Sequence, residues 1–471
     1  MKRLETSRCY SETAQINSCS LWVRHYVMGG LIPFIMFWFL LLIMPLHAHG
    51  TTLEELIAAA LDKNPTAQAA ALRVDAARAM IKQARSAYYP RFSVSGSYTK
   101  SDNPTQAFMM TLNQRQLDMQ DPNFDPNDPD DTDNYRLSLG LKYRIFDGGL
   151  RGKQIDMAQL GRNAADYRFW STQNELIHQV TQGYYSILQA QDFVEVQKES
   201  VTSLRENLRI AIERFKAGSA VKTDVLNLEV KLAQAREDLI RAENGAQLAI
   251  AALNTAIGED LVTTQGLPAP NKKNMAQTPP VQDFDAVENR PELRAIHNVA
   301  LMSEQEYRKT IREYFPVINA FGSYDWDSDQ FSDFEDSYTV GVMAEWEFFS
   351  GFQKQSAVAQ AKAAWQAAQQ DEKETRNKLK LDLQQAYIQS REAQKRLSVV
   401  SKSVESAEEA LRITTVMYKE GAVNIAELLT AQVGLTATHS RNVAAYYDYL
   451  IAISNVQRAR GDLVSRYRGM E

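Results

Sequence analysis

Two apolar periodicities alternate along the chain. In 91–99, Phe92, Val94, Gly96 and Tyr98 alternate with Ser93, Ser95, Ser97 and Thr99. In 136–146, Leu137, Leu139, Leu141, Tyr143 and Ile145 alternate with Arg136, Ser138, Gly140, Lys142 and Arg144. The theme returns in Val340, Val342, Ala344, Trp346 and Phe348, set between Thr339, Gly341, Met343, Glu345 and Glu347. A period of two predicts strands with one apolar and one wet face. Elsewhere the spacing is three and four. Val358, Ala361, Trp365, Ala368, Leu379, Leu383 and Ala386 mark a narrow stripe on a mostly polar helix that runs from Phe352 to Glu420 without proline or glycine. Such a stripe fits coiled-coil contact with water on the remaining surface.

These elements occur twice. Asn64-Pro65 recurs as Arg290-Pro291 and YYPRFSVSGSY (88–98) as YFPVINAFGSY (314–324), both at an offset of 226. FDGGLR (146–151) pairs with FSGFQK (349–354), Gly218 with Gly421 and Gly258 with Gly461, at an offset of 203. One drop in offset means one insertion in the first copy, between Tyr98 and Phe146, where the Asp-, Asn- and Pro-rich MQDPNFDPNDPDDTDN predicts an acidic surface loop. The first repeat is read as 51–265, with strands about 91–108 and 135–147, helix 149–216, tip 217–222 and helix 223–258. A proline-rich linker, 266–282, leads to the second repeat, 283–465, with strands about 317–327 and 337–349, helix 352–419, tip 420–424 and helix 425–462; 466–471 is a tail.

The N-terminus is different in kind. Leu31 to Leu46 is an apolar run behind Lys2, Arg3, Arg8 and Arg24, followed by His47-Ala48-His49-Gly50, with the small residues Ala48 and Gly50 at a spacing a signal peptidase accepts. Residues 1–50 therefore read as a secretory signal peptide, with an uncleaved anchor as the other reading. Cys9 and Cys19 both lie within it, so the mature chain is expected to hold no thiol. A net charge of −6 argues against nucleic acid as a partner.

Strands of this length with aromatics near their ends suit a transmembrane barrel, though a soluble antiparallel sheet shows the same alternation. Four strands cannot close a barrel, and lipid does not tolerate open sheet edges. If the sheet is in a membrane, several chains must share one barrel.

The doubled NP/RP start, YYP and YFP before strands, FDGG and FSG after them, and the glycine-broken helix pairs together resemble the TolC-like outer membrane efflux proteins over roughly 51–465. The resemblance implies a homotrimer with a twelve-stranded barrel in outer membrane lipid, four strands per chain, continuous with a twelve-helix periplasmic α-barrel. It implies a periplasmic adaptor and an inner-membrane pump or ABC transporter as partners, and passage of cargo in efflux or type I secretion with no enzymatic step and no cofactor. Gly218, Ser219, Gly421 and Ala422 then form tip turns that face the adaptor, and Phe146, Gly148, Gly149, Phe349 and Gly351 the strand-to-helix junctions. Glu427 matches a position of the family's acidic entrance ring, and Tyr418, Thr223 and Asp224 match its closed-tip hydrogen-bond network. Both acids also suit the first turn of a helix. Thr430 and Val423 depart from the family's second ring acid and its arginine. The competing function class is a soluble periplasmic coiled-coil adaptor or scaffold without a pore.

Other constellations carry little. GGLRGK (148–153) lacks the spacing and the Ser or Thr of a phosphate loop. Asp325, Asp327 and Asp329 have calcium-loop spacing, but Gln330 and Asp336 stand where glycine and glutamate are required. His178, His297 and His439 are scattered, and no catalytic or metal site is predicted.

Overall fold

The structure, a computed structural model, describes residues 52–120, 125–262, 267 and 283–468. The expected signal peptide, its two cysteines and most of the linker lie outside the described residues. The first repeat runs α1 (Leu53–Lys63), α2 (Pro65–Ser86), β1 (Arg91–Ser101), α3 (Pro104–Asn113), β2 (Thr132–Phe146), α4 (Leu150–Lys216) and α5 (Lys222–Ile257). The second runs from a 3-10 turn (Asp285–Asn289) through α6 (Pro291–Arg312), β3 (Val317–Ser328), β4 (Glu335–Glu345), α7 (Gln353–Lys419) and α8 (Ile425–Arg460) to α9 (Leu463–Arg468). Equivalent elements match in length: α4 and α7 have 67 residues each, and α5 and α8 have 36 each.

The strands form one antiparallel sheet in the order β1-β2-β3-β4, so β2–β3 pairing joins the repeats. The register sets Phe92 opposite Leu141, Val94 opposite Leu139, Leu139 opposite Tyr324 and Gly322 opposite Val340, which makes one apolar face. Ser95, Ser138, Asp325 and Ser337 lie in line on the other. The apolar face has no cover in the protomer: Val94 is 70% and Val340 74% exposed.

Several boundaries differ from expectation. The first strand does not reach 108, because Asn103 caps a helix: its side chain accepts from the Gln106 N–H at 3.2 Å, and Pro104 sits where a missing N–H costs nothing. The inserted segment crosses the polar face. Gln114 donates to Asn134 at 2.9 Å, and Arg115 pairs with Glu335 on β4 at 2.7 Å. The last strand stops at Glu345 instead of 349, since its partner β3 begins only after Pro316, at Val317. The C-terminal tail begins inside a short helix, α9, whose Leu463 is buried in the main core.

α2 and α6 lie against α4, and α6 also contacts α7. A mid-length core gathers Leu56, Ile177, Val180, Leu253, Tyr447 and Ile453 from four helices, α1, α4, α5 and α8. The repeat starts anchor this level by a shared device. The Asn64 side chain donates to the Ala256 carbonyl at 2.7 Å, and Arg290 donates to the equivalent Ala459 carbonyl at 3.3 Å. Gly258 and Gly461 end the returning helices against Pro65 and Pro291. Among the described residues no helix is long and apolar enough to cross a membrane.

Candidate functional site

The two helix-to-helix tips are built alike. After α4, Gly218 adopts φ +72° and its N–H donates to the Phe215 carbonyl, while the Ser219 N–H donates to the Arg214 carbonyl at 2.9 Å. After α7, Gly421 at φ +81° and Ala422 repeat both bonds, to Tyr418 and Met417. This pair of bonds is the Schellman stop, and it requires a left-handed residue at the position glycine holds. The expected tip turns at Gly218, Ser219, Gly421 and Ala422 therefore sit where a chain must reverse.

Glu427 and Asp224 both occupy the third position of a returning helix. The Glu427 N–H donates to the Asn424 cap at 3.1 Å, and the Asn424 amide donates back to the Glu427 carboxylate at 3.2 Å. Glu427 is exposed, so its helix-end role leaves the carboxylate facing water. Asp224 lies behind Val221, which offers no capping side chain, and is half-buried; Thr223 is exposed.

Tyr418 closes the packing of the two tips. It is buried in a tip core with Leu204, Leu228, Leu232, Ile425 and Leu428, and its hydroxyl has no hydrogen-bond partner among the described residues. Burial pushes its pKa up; nearby Arg214 pulls it down and Asp224 adds to the rise. Within the protomer, then, Tyr418, Thr223 and Asp224 form no closed network through that hydroxyl. Val423 packs against the same apolar core, which explains why no charge stands there.

The charge comes from the other hairpin. Arg214, in the last turn of α4, donates to the Tyr418 carbonyl at the end of α7 and to the Ser219 carbonyl at 3.3 Å. Its guanidinium lies 4.9 Å from the centroid of the Tyr418 ring. One cation in the last turn of α4 thus serves the carbonyl end of α7 and the tip turn that follows α4, a position helix dipoles favour. An arginine in the last helical turn was the available signal for it.

At the membrane end, Phe146, Gly148 and Gly149 form a junction organised by two further residues of the FDGGLR motif, Asp147 and Arg151. The buried Asp147 carboxylate accepts from the Gly149 and Arg151 N–H groups and pairs with the Arg151 side chain at 2.7 Å. Arg151 also donates to the Arg144, Ile145 and Ala87 carbonyls and covers the Tyr88 ring. In the second copy, Gly351 is followed by Phe352 at φ +67°, and the Phe349 ring meets the Phe352 ring edge-on at 5.6 Å. Two of the aspartates with calcium-loop spacing are spent in β3, where Asp327 is buried against Arg136 and Asn134 and Asp325 accepts from Ser323, while Asp329 lies just beyond the strand and accepts from Gln330.

A sequence family described as outer membrane efflux protein matches residues 56–259 and 285–462, one span for each structural repeat. The chain belongs to the outer membrane efflux protein family. It is 23% identical over 418 residues to the alkaline protease secretion protein AprF of Pseudomonas aeruginosa, covering 86% of this chain and 83% of that one. It is 22% identical to the outer membrane protein TolC of Vibrio cholerae, covering 87% and 91%. The structure of CusC, described in terms of folding and transmembrane channel formation, superposes with a TM-score of 0.76 at 16% identity over 87% and 91% of the two chains. The fold class is that of the TolC-like channels, and this chain contributes to it one four-stranded antiparallel sheet joined to two long helical hairpins. The protein is accordingly one of the Gram-negative outer membrane with a large periplasmic portion, in a family of channels rather than enzymes.

Proposed function

We propose that this chain forms, as a homotrimer, the passive exit duct of a tripartite efflux or type I secretion system. The carrying observation is one sheet with both edges unpaired in the protomer, joined to two helices of 67 residues. At ~1.5 Å per residue such a helix runs roughly 100 Å, a length suited to a periplasmic tunnel. Open edges in lipid require partner strands, and further copies of the same chain supply them.

The tips at Gly218–Ser219 and Gly421–Ala422 then face a periplasmic adaptor, with an inner-membrane pump or ABC transporter as the energy source. Glu427 rings the entrance, and Tyr418, Thr223 and Asp224 face the neighbouring hairpin in the closed state. The cargo class takes in drugs, ions and polypeptides. Purified full-length protein should conduct ions in planar bilayers, require detergent for extraction, and have the mass of three chains. A monomer that is soluble without detergent and does not conduct would overturn the reading and favour a periplasmic scaffold.

A further inference from the structure

The sheet edges carry enough chemistry to fix how copies join. Arg91 opens β1 on the polar face, and its laddered neighbour is Lys142, a like charge directly opposite. Such a pair is destabilising unless a carboxylate sits nearby. No ion pair to Arg91 exists among the described residues, and its other flank is the open edge of the sheet. At the opposite edge, Glu345 ends β4 on the same polar face, also without an ion-pair partner among the described residues. The nearby Glu347 is already held by Lys354 at 3.2 Å.

We infer that β1 of one protomer pairs antiparallel with β4 of the next in a single register, Arg91 opposite Glu345. This rests on the trimeric duct proposed above. Three independent features select the register. First, a period of two allows Arg91 to face only the polar-face positions of β4, of which Gly341, Met343 and Glu345 are examples. Second, both edge strands have 11 residues, and only this register pairs all of them, from Arg91–Glu345 to Ser101–Glu335.

Third, the barrel must close with a stagger. Followed across the ladders, Arg91 leads to Lys142, then Phe321, then Gly341. Pairing the next Arg91 with Met343, Glu345 or Glu347 adds two, four or six residues of stagger per protomer. With strands ~4.8 Å apart and a rise of ~3.3 Å, twelve strands would then tilt by about 19°, 35° or 46°. Outer-membrane barrels tilt by roughly 35–45°, which excludes Met343. The engagement of Glu347 with Lys354 decides between the other two.

The chosen register also continues the apolar face, setting Phe92 beside Ala344, Val94 beside Val342 and Tyr98 beside Tyr338. The last pair extends an aromatic row already present within the protomer, where Tyr98 contacts Tyr135 at 4.8 Å and Tyr324 contacts Trp326 at 4.7 Å.

Disulfide trapping tests the register in the full chain with Cys9 and Cys19 replaced by Ser. Directly opposite residues lie ~5 Å apart and diagonal ones ~7–8 Å apart, so oxidation should separate them. Arg91→Cys with Glu345→Cys should form covalent trimers at least tenfold faster than with Met343→Cys or Glu347→Cys. Faster trapping at either alternative, or none in an intact trimer, overturns the seam while leaving the duct in place. The mass of the unmodified protein tests the trimer separately; a monomer there would remove both. As a second measurement, Arg91→Glu should lower trimer resistance to dissociation, and adding Glu345→Arg should restore it. Failure of the swap to restore it also counts against the pair.

Discussion

Replacing Arg214 with Gln tests whether one side chain ties the two hairpin tips. The substitution keeps a hydrogen-bonding side chain of related shape but removes the charge and the two-pronged donor that reaches the Tyr418 and Ser219 carbonyls. A hydrogen bond from a charged donor contributes ~1.5–3 kcal/mol. Arg214 is only half-buried and its Ser219 contact is 3.3 Å, so the lower end of that range applies. The Tyr418 ring face adds ~0.5 kcal/mol. About 2 kcal/mol lost from local opening corresponds to roughly a 30-fold fall in amide protection. Hydrogen exchange read at Gly218, Ser219, Gly421 and Ala422 should show that fall, while amides near Val180 in the mid-length core stay unchanged. Arg214→Lys should lie between the two. A change below about threefold at the tips, or an equal loss along the whole of α4, would refute the clamp.

Two further outcomes are expected. Carboxylates ~6 Å apart in a ring repel by about 0.7 kcal/mol in water and by a few kcal/mol at an effective dielectric near 20, so the Glu427 ring should draw cations. Single-channel recording of Glu427→Gln should show reduced cation selectivity at neutral pH, and unchanged selectivity would remove Glu427 from the entrance. At mid-length, burial opposes ionisation of Asp382 and Glu292, but Arg290, joined at Asp382 by Arg458, outweighs it and holds both carboxyls below their ordinary range. Carboxyls depressed in the fold stabilise it above their unfolded values and lose that contribution as pH falls through the folded ones. Helix unfolding followed by circular dichroism should therefore show a melting temperature that is level near neutral pH and drops below about pH 4, with a shallower drop in Asp382→Asn.

Most of the architecture was legible because it is written twice. The offsets of 226 and 203 located both tips and the insertion, and the strand alternation gave the two faces that the register later aligned. What escaped was local chemistry without a repeat. Helix α3 was hidden by the apolar FMM, although Asn103-Pro104 is a readable helix start. Arg214 was missed because a charge was sought at Val423 in the second tip, whereas the first tip supplies it. The Asp147–Arg151 pair lay within view at a spacing of four, but nothing in the sequence says that both side chains are buried. The burial of the Tyr418 hydroxyl likewise depends on how two hairpins pack, a long-range fact that no local pattern encodes.

The matched helix lengths have a consequence for how such a chain can change over time. Equal runs of 67 and 36 residues bring both tips to one depth and set each tip's facing. Deleting a single residue from α4 would draw its tip back by only ~1.5 Å but rotate everything beyond the gap by about 100°. The polar surface of these helices tolerates substitution at many positions, yet their count of residues has almost no freedom. Insertions are admissible where the chain is not being measured out, and the segment that carries α3, beyond the end of β1, is such a place.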